Sequence, residues 1–132
     1  QLMYQFFHNA LNLRILTATT NLRRFFRGTT VCVSTPPIIP TPEHVRRFPN
    51  TFKDKLQNGV APAPIRKKLF DLHSRVIAEH CEKDDIIYLP PPAEAVDEAG
   101  CLLEKYWAND PTHANAAYGA LLQAQIAKAL SL

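Results

Sequence analysis

An acid three residues ahead of a histidine, in the run Asp110-Pro111-Thr112-His113-Ala114-Asn115, is the part of this chain best suited to chemistry. In a proline-containing turn the Asp110 carboxylate can fold back onto the imidazole Nδ1–H of His113. It then fixes the tautomer and stabilises the imidazolium, leaving Nε2 to take a proton from a nucleophile. The same letters also suit plain turn-and-cap chemistry, because Asp-Pro opens turns and Asn caps helices. Both readings stand at this level. The catalytic one expects the second nitrogen of His113 to face a pocket near Pro36 and Pro37.

The elements that would hold this pair can be read outward from it. Asn115 is a good N-cap for a helix running to about Leu130, so the histidine hangs at the lip of a rigid element. Upstream, residues 2–27 carry a broad apolar face at the helical period, with arginines toward the far end and Gly28 as a stop. The alternative there is an acid-free targeting helix. Residues 29–34 (Thr-Thr-Val-Cys-Val-Ser) are β-branched and nearly unbroken in apolarity, as a central parallel strand is. Pro36 and Pro37 end it, on the side of a parallel sheet where ligands bind.

Residues 36–64 form a long Pro-rich connection with short helices expected near 44–48 and 51–57. Connections of this length are functional or mobile. Phe48, Phe52 and Val60 either line a substrate pocket or pin the loop to the body, and Arg46 and Arg47 either meet an anion or are solvated. Pro64 opens a helix to Lys83, with Ile65, Leu69, Leu72, Val76 and His80 on one face and Arg66, Lys67, Arg75 and Glu79 outside it. Residues 86–89 are a short buried strand, stopped by Pro90-Pro91-Pro92, and 93–99 read as helix-like. Helix, strand, loop, helix, strand, loop, helix is the alternation of an α/β sheet, with strands 29–34 and 86–89 parallel and adjacent.

Composition excludes more than it specifies. The 132 residues fit one domain, 46% hydrophobic and 20% charged, with a net charge of +3 that does not argue for nucleic acid. Charge is uneven: Arg14, Arg23, Arg24 and Arg27 are unopposed by any acid before Glu43. No apolar run reaches the ~18 residues of a membrane span. Cys32, Cys81 and Cys101 lack metal-ligand spacing, so no metal is expected; as reduced, mostly buried thiols they lean towards a cytoplasmic setting. No Gly-rich phosphate loop is present, and no cofactor is expected.

With its elements in this order, the chain resembles the C-terminal portion of an SGNH (GDSL-type) hydrolase. Asp110, Thr112, His113 and Asn115, with Tyr118-Gly119 after them, are similar to that family's D-x-x-H turn and final helix. Residues Val31–Pro37 resemble the strand ending in prolines that follows its third conserved block. The resemblance implies a flavodoxin-like three-layer parallel sheet, of which 1–132 is the C-terminal half. It further implies His113 as general base, Asp110 as its orienting acid, and a small-molecule or acylated ester as substrate, with Pro36, Pro37, Phe48 and Phe52 as candidate substrate contacts.

The family's GDS-like serine turn, oxyanion-hole glycine and central Asn do not occur here. Ser34, Ser74 and Ser131 are the only serines: one ends a strand, one lies mid-helix and one is at the chain end. The nucleophile is therefore expected in sequence upstream, Gln1 already lying in a helix-like stretch. Uncovered sheet edges would then favour self-association or a missing N-terminal half. The alternative function is a non-catalytic interaction or assembly domain on a degenerate copy of the fold, with the arginine-bearing helix as its contact surface.

Overall fold

A computed structural model describes residues 1–11, 16–48 and 59–132, apart from the side chains of residues 7, 8 and 11. Two helices come first, α1 (Leu2–Leu11) and α2 (Thr17–Phe25), flanking residues 12–15, which lie outside the described residues. α2 ends well before Gly28. Phe26 turns extended (φ −105°, ψ 123°) and Arg23 Nη1 donates to its carbonyl at 3.1 Å, so the arginine rather than the glycine closes the helix.

β1 (Val31–Val33) and β2 (Ile87–Leu89) pair in parallel, in the register Val31↔Ile87, Cys32↔Tyr88, Val33↔Leu89. Ladder bonds continue past the strand ends, from Ile87 N to Thr30 O (3.0 Å) and from Ser34 N to Leu89 O (2.9 Å). Parallel neighbours need a long crossover, and helix α4 (Ala63–Lys83) supplies it. The adjacency expected from the sequence is thus observed. Among the described residues the sheet has these two strands, fewer than a three-layer flavodoxin-like sheet contains.

α4 reaches β2 through a tight C-terminal motif. Ile86 N donates to Cys81 O at 2.8 Å and Asp85 N to Glu82 O at 3.5 Å, with Asp85 in the left-handed region (φ 55°). This is a Schellman cap in which Asp stands where Gly is usual. It sends Ile86 straight into the core with Leu16, Val76, Ile77 and Cys81, against which Tyr4, Cys32 and Tyr88 pack. Burial pushes the Cys81 thiol up to about 12, which keeps it a protonated, small apolar group. The buried stripe of α4 is Val76, Ile77 and Cys81, while Ile65 is 53% exposed. Of the apolar stripe read from the sequence only Val76 is buried, and the buried face runs on through Ile77 and Cys81 instead of His80.

A second core holds the C-terminal third: Ile39, Ala95, Leu102, Tyr106 and Tyr118. Residues 93–99 are not a helix. A 3-10 turn, Ala93–Ala95, gives way at Val96 to extended backbone that bridges Leu102 antiparallel. The reversal is made by Asp97, whose Oδ1 accepts from Cys101 N (2.8 Å), and by Gly100 at φ 74°. A Cβ at Gly100 would also meet the Lys67 side chain at 2.7 Å. A further 3-10 turn (Glu104–Tyr106) leads into the Asp–His turn, and helix α5 (Ala116–Ala129) closes the chain.

Candidate active site

The turn between Trp107 and α5 is fastened at both ends. Trp107 and Ala114 form an antiparallel bridge, Ala108 N donates to His113 O (3.1 Å), and Asn115 N donates to Tyr106 O (2.8 Å). Asn115 caps α5 as its type predicts, its Oδ1 accepting from Ala117 N (3.0 Å) and Tyr118 N (3.3 Å). Its Nδ2 looks the other way and donates to Lys105 O (2.8 Å) and Trp107 O (3.2 Å). One side chain thus ties the helix start to the 3-10 turn that precedes the Asp–His turn.

Within that frame Asp110 Oδ1 accepts from Thr112 N (2.9 Å) and His113 N (2.7 Å) and lies 3.0 Å from His113 Nδ1. The carboxylate therefore does two things at once: it closes an Asx-type turn and it orients the imidazole. Partial desolvation pushes the Asp110 pKa up, but the two amides and the imidazole outweigh it, and the carboxyl sits below its ordinary range. The His113 side chain is 75% exposed. Its Nε2 has no hydrogen-bond partner among the described residues.

Two residues without a local signature brace this turn and the connection beside it. His44, on the short helix α3 (Pro42–Arg46), is buried, and its Nε2 donates to Asp110 O at 2.8 Å. Its ring packs against Phe48 and Trp107 (centroids 5.3 and 4.9 Å). Arg66, expected on the outer face of α4, instead turns inward. Its Nε donates to Ala61 O (2.9 Å), Nη1 to Ile39 O (2.6 Å) and Nη2 to Pro40 O (2.7 Å). A single guanidinium thus staples the two ends of the long connection together, and burial lowers its pKa. No spacing rule could have revealed the bonds of His44 to Asp110 or of Arg66 to Ile39 and Pro40, because they join segments distant in sequence.

Beside the turn lies a cavity of about 430 Å³ whose walls include Pro36, Pro37, Ile39, Val45, Leu69 and Arg66. Pro111 and Thr112 of the turn close one side, and Gly59 and Val60 another. Of the residues considered as substrate contacts, Pro36, Pro37 and Val60 line this cavity. Phe48 does not line it; the ring is taken up by His44, which makes it a loop anchor. Phe52 lies outside the described residues. His113 is not among the residues that line the cavity; the turn reaches it through Pro111 and Thr112.

No serine belongs to the cavity lining or the turn. Ser34 is buried and its Oγ donates to Thr35 O (2.9 Å), and Ser74 Oγ is buried on α4. Among the described residues no group of three His, Cys, Asp or Glu side chains is placed to hold a metal, and no helix is long and apolar enough to cross a membrane. No family model matches the chain, and no curated protein or solved structure is similar enough to count as a match.

Proposed function

We propose that this chain carries the acid–base half of an ester hydrolase of the SGNH (GDSL) type, with β1 and β2 belonging to a larger three-layer parallel sheet. The observation that carries the reading is the Asp110 Oδ1–His113 Nδ1 contact of 3.0 Å, on a turn that also walls an apolar cavity. A carboxylate on Nδ1 fixes the tautomer that presents an unprotonated Nε2. Nε2 takes the proton of a serine hydroxyl supplied from sequence outside residues 1–132 as that oxygen bonds to the acyl carbon. The imidazolium, stabilised by Asp110, then gives the proton to the departing alkoxide. A water repeats the cycle and frees the acid.

A fluorophosphonate probe tests this on the full-length polypeptide. The expected result is covalent labelling of one serine outside residues 1–132, abolished by His113→Ala. Unchanged labelling in that variant, or no labelling of the wild type, would remove the proposal.

A second reading, an interaction domain without catalysis, is favoured by one observation. Leu22, Phe25 and Phe26 are 52%, 84% and 62% exposed beside Arg24 and Arg27. Apolar side chains clustered in this way ordinarily meet another surface. Under this reading, substituting them with Ser abolishes association, and His113→Ala changes nothing measurable.

A further inference from the structure

We infer that the cavity beside the Asp–His turn is an acyl site for a medium-length, unbranched aliphatic chain, so that the preferred ester carries such an acid rather than an acetyl group. The inference rests on the catalytic reading of Asp110 and His113 only for which end of the ligand reacts. The walls are otherwise an argument in themselves. Pro36, Pro37, Ile39, Val45, Val60 and Leu69 present saturated carbon. The one charged side chain, Arg66, has Nε, Nη1 and Nη2 each committed to a backbone carbonyl. A wall of this kind gains from burying methylenes and offers little to a sugar or a phosphate.

Place and size point the same way. The cavity is lined by Pro36 and Pro37, where the chain leaves β1 at the end at which ligands of parallel sheets bind. Its turn-side wall is Pro111 and Thr112, the two residues between the acid and the base. A chain lying with its carboxyl end against this wall would abut the turn that carries the acid and the base. At about 430 Å³ it falls near the lower end of ligand pockets, ~300–1,000 Å³, larger than an acetyl needs and small for a long-chain lipid. Arg66 is a positioning residue here: by joining Ile39 and Pro40 to Ala61 it fixes the distance between two walls.

The experiment has a kinetic arm and a binding arm. With the full-length protein, kcat/KM is measured on p-nitrophenyl esters from acetyl to dodecanoyl, and octanoate and acetate binding are followed by ligand-observed NMR. We expect kcat/KM to rise by about fourfold per added methylene, the Boltzmann factor of burying one, up to a medium chain and then to fall. Leu69→Trp, at a position 36% exposed, and Val60→Trp each fill the cavity. They should shift the optimum to acetyl and abolish octanoate binding. If His113-dependent hydrolysis is seen but neither variant moves the chain-length profile, the acyl site is wrong and the dyad stands. If no ester is hydrolysed, the dyad reading fails, and the cavity is judged by octanoate binding alone: binding lost in both variants keeps it as an aliphatic site, and no binding overturns it.

Discussion

The imidazole of His44 donates through Nε2 to the main-chain carbonyl of Asp110 at 2.8 Å, across 66 residues of sequence. The long connection and the Asp–His turn are therefore one mechanical unit. A buried ring packed on Phe48 and Trp107 holds the backbone atom next to the orienting carboxylate. His44→Phe keeps the aromatic packing and deletes the donor. It should cost about 1 kcal/mol, the usual net value of such a bond, seen as a fall of a few degrees in Tm. His44→Ala also leaves a cavity and should cost more. Equal melting of wild type and His44→Phe would show that the bond carries no net stability.

Asp110 predicts a pH dependence of definite sign. Its carboxyl is held below its ordinary value of 3.8, chiefly by the Thr112 and His113 amides acting against partial desolvation. A group whose folded pKa is depressed stabilises the native state above its unfolded pKa, and that contribution disappears as pH falls through the folded value. Acid unfolding should therefore steepen just below pH 3.8, and Asp110→Asn should flatten that limb. The asparagine oxygen still accepts from the two amides, so the variant retains the turn near neutral pH. Parallel acid limbs for the two proteins in urea titrations would rule out a linked Asp110.

Local chemistry was readable from the sequence wherever neighbours in the chain decide the outcome. Asn115 caps α5, Pro64 lies in the first turn of α4, and the alternation of strand, helix and strand gives a parallel pair. Much of what escaped reading depends on contacts between distant segments. Arg66 looks like a solvent-facing residue by periodicity, yet three carbonyls of the connection draw it inward. The run 93–99 has helical composition, but Asp97 and Gly100 make a reversal that the second core then covers. The spacing of Asp110 and His113 anticipated their contact; the backing from His44 had no local signature at all.

Tyr118 offers a test of packing alone. It is 2% exposed in the second core, its hydroxyl has no partner among the described residues, and burial pushes its pKa up to about 12. A buried hydroxyl without a partner carries its desolvation cost uncompensated. Tyr118→Phe removes that cost and keeps the edge-on contact with Tyr106, at 6.4 Å between centroids. It should leave stability unchanged or raise it by up to ~1 kcal/mol. A loss of that size on urea denaturation would mean that the hydroxyl is bonded in solution.

The sharpest separation between catalysis and turn chemistry comes from comparing His113 with Asp110. At 75% exposure the His113 side chain contributes little burial, so His113→Ala should change stability by no more than ~0.5 kcal/mol. If Nε2 is the base, turnover of an ester by the full-length protein should fall by about 10⁴-fold or more. Free imidazole added to that variant should then restore part of the rate, because a diffusible base can occupy the space the side chain leaves. Asp110→Ala should show the opposite balance. It removes the acceptor for the Thr112 and His113 amides and should cost stability of the order of a lost cap, about 0.5–2 kcal/mol, with a smaller loss of turnover than His113→Ala. A turn with no catalytic role would instead give a melting change for Asp110→Ala, equal ester turnover in all three proteins, and no response to imidazole.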